Sequence, residues 1–306
     1  MPTASQATSI PRSSLGLLAL LTLFWGLNWP FMKVVITEWP IWSFRALCVI
    51  AGTLGLFGIA RVTGQSLRVP PGQWGRLIVI ALLNITIWNV LALYGLTLLP
   101  SGRAAILAFT MPLWGVILGY FLLGEPLHMR RLLGLLLGLG GLSLLISGEL
   151  QALKAAPVGA ICMLGAAVSW ALGTVLLKRY PVALSITAFA GWQMLIGGLP
   201  LIIGALILDR GRFDHGFTMW PILGLFYNMI ICFIFCYWAW FRIVSLVPVG
   251  ISALSTLMIP CVGVLSGMAV LGEKPAWNEF AALALIIMAL ATVLLPSRQP
   301  PPGPAV

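Results

Sequence analysis

The sequence predicts an all-α integral membrane protein whose ten transmembrane helices form two inverted five-helix repeats around a central cavity. Three observations predict this fold: the composition, the length of the apolar runs and an internal repeat. Of the 306 residues, 60% are hydrophobic and 8% are charged, whereas soluble domains average about 45–50% apolar and about 25% charged residues. The mean hydropathy is +1.06. This composition excludes a soluble enzyme and a receptor with a single membrane anchor.

The apolar runs are each long enough to cross a bilayer as a helix, which takes about 20 residues. Prolines, glycines and charged residues separate them. Strands of a membrane barrel would instead alternate polar and apolar residues over about ten positions. In chain order, the ten spans are expected at 15–37, 40–60, 75–96, 103–123, 131–148, 157–177, 184–208, 219–243, 249–271 and 278–296.

The two ends of the chain differ from the spans in composition. Residues 1–14 are polar, and residues 297–306 form a proline-rich tail. Both segments are expected to be disordered. Between them, we expect a first five-helix unit over 15–148 and a second over 157–296.

The basic residues predict the orientation of the chain. If both termini lie on one side, that side carries ten Lys and Arg residues and the opposite side carries six. Because basic residues favour cytoplasmic loops, we expect both termini in the cytoplasm.

Charge and cysteine content exclude several other classes of protein. The net charge of +10 is spread as single residues or pairs, and no soluble domain carries a basic groove, so we expect no nucleic-acid partner. The five cysteines all lie in apolar runs, and the only histidines, His128 and His215, lie in loops. We therefore expect buried thiols, no metal site, no cofactor and no catalytic triad. An enzyme is not expected.

The internal repeat relates the fourth and ninth spans. Residues 100–125 align without gaps to residues 248–273, with ten of 26 positions identical. A weaker match relates Phe24-Trp25 to Ser169-Trp170. Because five spans is an odd number, the second copy must enter the membrane from the opposite side. Inverted repeats of this kind are typical of transporters with a site at the bilayer midplane, although a static scaffold or an enzyme on a duplicated bundle remains an alternative.

With ten spans, a tryptophan in the first span of each half and a paired Pro…Pro…Gly-Glu segment, the chain resembles the EamA-type drug/metabolite transporter (DMT) superfamily. Within it, the Trp- and Asn-rich first and third spans look most like the YddG-like aromatic amino-acid exporters. The resemblance covers essentially the whole chain. It implies export of neutral, especially aromatic, amino acids across the bacterial inner membrane.

Two prolines occupy equivalent positions of the repeat. Pro112 and Pro260 lie near the centres of the fourth and ninth spans. Each removes a backbone hydrogen bond and displaces the carbonyl group four residues earlier. We expect two kinks that open a central cavity, with kinks absorbed by packing as the alternative. Glu125 and Glu273 end the same two spans, and we expect them to be solvated helix ends.

Polar and aromatic residues inside five spans are the candidate substrate-binding residues. Amides in hydrocarbon need partners, and indole rings stack on apolar rings. A pocket of amides, hydroxyls and indoles suits a neutral polar ligand with an aromatic side chain, although packing against another helix is the alternative for each residue. The set is Trp25, Asn28, Trp29, Asn84, Trp88, Asn89, Ser169, Trp170, Tyr227, Asn228, Tyr237, Ser252, Ser255 and Thr256.

The distribution of charged residues within the spans also bears on function. No Asp or Glu lies in the middle of a span, where coupled pumps place a carboxylate. Arg45 is the one basic residue well inside a span. Three roles are open for it: reaching the outer interface, pairing with a carbonyl group, or binding a substrate carboxylate.

The sequence therefore predicts a monomeric transporter in the lipid bilayer that moves a small-molecule substrate by alternating access. The leading prediction is export of neutral, especially aromatic, amino acids. A carrier for a nucleotide sugar, a purine or a drug-like solute is an alternative, although a phosphate-bearing substrate would need several basic residues at the midplane. A multispan enzyme or scaffold is the alternative of another class.

Overall fold

The fold is known from a computed structural model that describes residues 12–124, 129–147, 157–210, 218–246 and 249–294. Within these ranges the chain is helical and contains no strand. The helices are α1 Arg12–Val35, α2 Ile41–Val62, α3 Trp74–Leu98, α4 Ser101–Ala108, α5 Met111–Leu123, α6 Met129–Ser147, α7 Pro157–Arg179, α8 Ile186–Leu208, α9 in the three stretches Met219–Phe226, Tyr227–Cys236 and Tyr237–Leu246, α10 Val249–Leu271 and α11 Trp277–Leu294.

The helix ends agree with the predicted spans to within three residues. The agreement arises because prolines and glycines mark the boundaries. Pro40 precedes α2, Pro100 precedes α4, and Gly124 ends α5 in the left-handed conformation with φ of 66°, which glycine adopts without steric cost. The last three residues of the segment 1–14, which was expected to be disordered, belong instead to α1, because that helix begins at Arg12. Residues 1–11 and 295–306 lie outside the described residues.

The fourth predicted span is the exception, because two helices, α4 and α5, replace one. The break falls at Phe109 and Thr110, just before Pro112 in the first turn of α5. Proline has no N–H to donate and its ring clashes with the preceding turn. The hydroxyl of Thr110 donates to the carbonyl oxygen of Leu107 at 2.7 Å. Pro260, by contrast, lies inside the continuous helix α10.

Two helices contain a π-helical stretch. In α3 it covers Leu82–Ile87, and in α9 it covers Tyr227–Cys236. Each includes an asparagine of the candidate site, Asn84 or Asn228. A π-helical turn inserts an extra residue and often occurs at functional sites. The two stretches are therefore consistent with a site that involves α3 and α9.

The helices have the length and composition of membrane-spanning segments. Seven segments within the described residues are long and apolar enough to cross a bilayer. Shorter apolar stretches occur in α6, α10 and α11. Large apolar side chains such as Leu54, Phe121 and Leu206 are about 70% exposed on the outside of the bundle, as expected where lipid is the solvent. The seven segments are Gly16–Val35, Ile41–Val62, Trp74–Leu98, Ser101–Leu123, Pro157–Arg179, Ile186–Leu208 and Met219–Trp240.

The core forms where helices of the two predicted units pack against each other. The most extensive contacts join α2 to α8, α6 to α11, α1 to α10 and α3 to α7. Small residues allow the backbones to approach closely. A Cβ atom on Gly263 of α10 would lie 3.0 Å from the Cβ atom of Ala105 of α4 and 3.4 Å from Trp29 of α1. The candidate site lies among these interfaces.

Candidate substrate-binding site

Four aromatic side chains from four helices form a continuous row, called the aromatic row here: Trp25 of α1, Tyr237 of α9, Trp170 of α7 and Trp88 of α3. The ring centroids of Trp25 and Tyr237 are 6.0 Å apart, those of Tyr237 and Trp170 are 6.5 Å apart, and those of Trp170 and Trp88 are 5.2 Å apart. All three contacts are edge-to-face or tilted, the geometries that aromatic pairs prefer. All four residues belong to the set predicted from the sequence.

Trp25, Asn28 and Trp29 of α1 lie within about one helical turn but have different surroundings. Trp25 turns toward α9, where it also contacts the ring of Trp240 at 5.8 Å. Trp29 is 5% exposed and packs against Gly263 of α10. Asn28 is half-buried, and its Oδ1 atom is buried without a hydrogen-bond partner. Trp29 is therefore a packing residue, whereas Asn28 carries an unused acceptor.

The two asparagine side chains of α3 both donate hydrogen bonds to other groups of the protein. The Nδ2 group of Asn84 donates to Oε1 of Gln193 in α8 at 3.2 Å. The side chain of Asn84 also lies against Gly173 of α7, where a Cβ atom would fall 1.9 Å from its Oδ1. Asn89 donates to the carbonyl oxygen of Ile85 in its own helix at 2.6 Å. Asn84 of α3 thus contacts both α7 and α8. Asn89 supplies a hydrogen-bond donor to one carbonyl group of the π-helical stretch.

The hydroxyl and amide groups of α7 and α9 also bond to backbone. Ser169 donates to the carbonyl oxygen of Leu83 in α3 at 2.7 Å. Tyr227 donates to the carbonyl oxygen of Phe24 in α1 at 2.7 Å. Asn228 is fully buried and donates to the carbonyl oxygen of Gly224 at 2.9 Å, while its Oδ1 has no partner. These groups tie α7 to α3 and α9 to α1.

Three predicted hydroxyl residues and both repeat prolines lie on α10 and α5. Ser252, Ser255 and Thr256 lie on the helical backbone of α10, but their side chains are outside the described residues, as is the side chain of Pro112. Pro260 is buried.

Arg45 does not reach the outer interface. Its side chain is 3% exposed, and the guanidinium lies near the rings of Phe44 and Phe233. Its Nη2 group donates to Sδ of Met32 at 3.1 Å. The first of the three roles considered from the sequence, reaching the outer interface, is wrong, because the guanidinium is buried next to Phe44, Phe233 and Met32.

The acidic residues described are engaged at helix ends. Glu273 is not a solvated helix end, because both of its oxygens accept hydrogen bonds at the start of α4. Glu38 accepts from Thr218, Asp209 from the backbone of Ser43, and Glu279 from Arg103. Within the ranges that the structure describes, no group of three His, Cys, Asp or Glu side chains is arranged to hold a metal ion.

Sequence reasoning missed two partners in this region. Gln193 was not singled out, although a lone amide in the apolar run of α8 was the signal that could have found it. Met32 is the second, and its contact with Arg45 depends on how α1 and α2 pack. A pattern within one span cannot specify a pair formed between two spans.

Comparison with known proteins finds relatives along most of the chain. The chain is 28% identical over 287 residues to the uncharacterized transporter YvbV of Bacillus subtilis, with 92% of both chains covered. It is 27% identical over 299 residues to a protein of Escherichia coli named "Probable amino-acid metabolite efflux pump", covering 90% of this chain and 93% of the relative.

A solved crystal structure supports the same fold. It superposes with a TM-score of 0.66 at 20% sequence identity and covers 90% of this chain and 96% of the other.

The model of the EamA-like transporter family matches residues 12–147 and again residues 157–295. The protein is therefore a multi-pass membrane transporter that belongs to the EamA-like transporter family.

Proposed function

We propose that this transporter exports neutral, especially aromatic, amino acids and related metabolites by alternating access. The observation that carries the proposal is the aromatic row, because it joins α1 and α3 of the first unit to α7 and α9 of the second. A ligand held there would contact both units. Relative motion of the units would then move the ligand's exit from one side of the membrane to the other.

The proposed architecture is ten spans in two inverted units, 15–148 and 157–296, around a central cavity. The double match of the family model supports a duplication. The π-helical stretches support it too, because they occur in the third predicted span of each unit. The protein would act as a monomer in the bacterial inner membrane, with both termini in the cytoplasm, an orientation supported by the basic residues.

Aromatic substrates are proposed from the chemistry of the row. Indole and phenol rings offer large apolar faces and edges to a ligand ring. Asn28, with an unpartnered Oδ1 in α1, offers an acceptor one helical turn from Trp25. The printed name of the Escherichia coli relative supports an amino-acid metabolite as the class of substrate.

The two prolines would act differently during transport. The helix break at Phe109 and Thr110 separates α4 from α5 and would act as a hinge in the first unit. Pro260, within continuous α10, would act as a kink in the second unit. The difference supports unequal motion of the two units around the site.

The test is substrate flux into proteoliposomes containing the purified chain. Trp88→Ala and Trp170→Ala should weaken apparent substrate affinity about 5- to 150-fold, because each removes a stacking ring worth about 1–3 kcal/mol. Asn28→Ala should reduce transport as well. Trp277→Ala is the matched control, since Trp277 is 74% exposed on α11.

The amount of folded protein separates a binding role from a packing role. We expect the Trp88 and Trp170 variants to retain thermal stability near that of the Trp277 variant. Normal flux per folded molecule in both variants would contradict the proposed site, and absence of flux of any amino acid in the unmodified protein would contradict the proposed function.

A further inference from the structure

Arg45 is a buried cation without an anion. It lies in the first turns of α2, within the membrane-spanning segment Ile41–Val62, and is 3% exposed. In the part of the chain that the structure describes, Arg45 forms no ion pair. Because an arginine is protonated under all ordinary conditions, a full positive charge is buried here without a carboxylate.

The groups around the guanidinium compensate for only part of its lost hydration. Its carbon Cζ lies 4.8 Å from the ring centroid of Phe44 and 5.1 Å from that of Phe233. These cation–π contacts are favourable. Its one hydrogen bond goes to the thioether of Met32, which is a weak acceptor, and its Nε–H has no partner.

The acid that meets the first turn of α2 binds the backbone and not Arg45. Asp209, at the end of α8, accepts a hydrogen bond from the backbone N–H of Ser43 at 2.6 Å. That N–H belongs to the first turn of α2, so Asp209 caps the helix that carries Arg45 and does not pair with the guanidinium. Uncompensated charges at membrane depth are costly and mark substrate or ion pathways.

Arg45 lies beside the aromatic row. Phe233 links the two, because its ring contacts the guanidinium on one side and lies 5.6 Å from the ring of Tyr237 on the other. On α1, Met32 contacts Arg45 and Trp25 contacts Tyr237. Asn28 lies between them on the same face of α1, one turn from Met32. The positive charge is therefore placed at one end of a face that also offers rings and an amide acceptor.

A small, apolar recess lies beside Arg45. Trp42 of α2, Tyr94 of α3 and apolar side chains of α2, α3 and α8 line it together with Arg45. The indole N–H of Trp42 donates to the hydroxyl oxygen of Tyr94 at 3.1 Å. The Nε–H of Arg45 has no acceptor.

Only one of the two units carries this charge. The weaker alignment, which pairs Trp25 with Trp170, places Ala190 opposite Arg45, and the shift of the stronger alignment, which pairs Pro100 with Pro248, places Gln193 there. Neither residue carries a charge. A role in the architecture of each five-helix unit does not explain an arginine in one unit and a neutral residue in the other. A role in binding one end of an asymmetric ligand does.

We propose that Arg45 binds the carboxylate of the transported substrate, a specificity that rests on the proposed function. The planar guanidinium presents paired N–H donors that match the two oxygens of a carboxylate. The substrate class is accordingly a carboxylate attached to an apolar or aromatic body. Its ring would lie along the aromatic row, and an α-ammonium group, where present, would donate to Asn28. The carboxylate is required and the ammonium group is not.

The experiment measures binding of three ligands that share one ring: L-phenylalanine, 3-phenylpropionate, which lacks the amine, and L-phenylalaninamide, which lacks the carboxylate. Binding to the purified full-length chain is followed by ligand-induced thermal shift and by competition in the flux assay. The unmodified protein should bind the two carboxylates and bind the amide at least tenfold more weakly.

Arg45→Met should lower affinity for both carboxylates about tenfold to a hundredfold and abolish the preference over the amide. Arg45→Lys retains the charge without the paired donors and should lie between Arg45→Met and the unmodified protein. Arg61→Met is the matched control, because it removes an arginine exposed at the other end of α2. Retained preference for carboxylates in folded Arg45→Met would overturn the proposal.

The ligand series on the unmodified protein gives a second measurement that needs no variant. Equal binding of L-phenylalanine and L-phenylalaninamide would overturn the role of Arg45 even if its variants failed to fold. Failure of the proposed function has a different signature: 3-phenylpropionate would bind in an Arg45-dependent way while no amino acid is transported.

Discussion

Glu273 caps the start of α4 at Ser101. Its Oε1 atom lies 2.7 Å from the backbone nitrogen of Ser101, and its Oε2 atom lies 2.9 Å from the hydroxyl oxygen of the same residue. The carboxylate follows α10, whereas Ser101 begins α4. A negative charge at a helix N-terminus satisfies free N–H groups and interacts favourably with the helix dipole. The contact therefore joins the end of α10 to the start of α4, two helices that we assign to different units.

Glu273→Gln should destabilise the protein by about 0.5–2 kcal/mol, the range for loss of a helix cap. The amide replaces a charged acceptor by a neutral one, and its NH₂ group cannot accept from the backbone. Lys274→Gln is the control, since Lys274 is exposed next in the chain. Thermal unfolding in detergent measures both. Equal melting temperatures for the two variants would contradict a stabilising cap.

Gly173→Ala should destabilise the protein, although alanine is a better helix former than glycine. The added methyl group would overlap Oδ1 of Asn84, which an ideal Cβ approaches to 1.9 Å. Gly58→Ala is the matched control, because nothing lies within 4 Å of a Cβ there. We expect the melting temperature to fall for Gly173→Ala and to stay level or rise for Gly58→Ala. A rise in both would show that the amide of Asn84 moves aside freely.

Arg103 and Glu279 form a largely buried ion pair. The Nη2 atom of Arg103 lies 2.5 Å from Oε1 of Glu279. Removing one partner leaves the other charge buried. The destabilisations caused by Arg103→Met and Glu279→Gln should therefore add up to more than the destabilisation of the double variant. The expected coupling free energy is about 0.5–3 kcal/mol. A double-mutant cycle of unfolding free energies measures it. Additive effects would mean that water screens the pair.

Downhill substrate flux should proceed without an imposed proton gradient. The described acids sit at helix ends, where Glu38, Asp209 and Glu273 accept hydrogen bonds from helix N-termini. Proton-coupled carriers place a titratable carboxylate at membrane depth. Proteoliposome flux with and without a pH gradient tests this. Flux that requires a gradient and disappears in Glu125→Gln or Glu273→Gln would contradict the prediction.

Cysteine labelling should place residue 210 outside the cell and residue 61 inside. Arg210→Cys and Arg61→Cys are compared in a background without the five native cysteines, and both positions are exposed. A membrane-impermeant thiol reagent should label residue 210 in intact cells and residue 61 only after permeabilisation. The reverse pattern would invert the proposed orientation.

The sequence by itself determined the helices and most of their ends, because prolines, glycines and charged residues interrupt otherwise uniform apolar runs. It also singled out the four members of the aromatic row, since large rings and amides are conspicuous among aliphatic residues. Spacing within α1 placed Trp25 and Asn28 on one face, which the helix period alone specifies.

Only the tertiary structure decided which of these groups meet. Asn84 faces Gly173 and Gln193, Glu273 caps Ser101, and the guanidinium of Arg45 lies between two phenylalanine rings. Each contact joins residues from different helices, so it depends on helix rotation and interaxial distance. Helix rotation and interaxial distance are set by the packing of many side chains across an interface. The periodicity within a single span does not determine them.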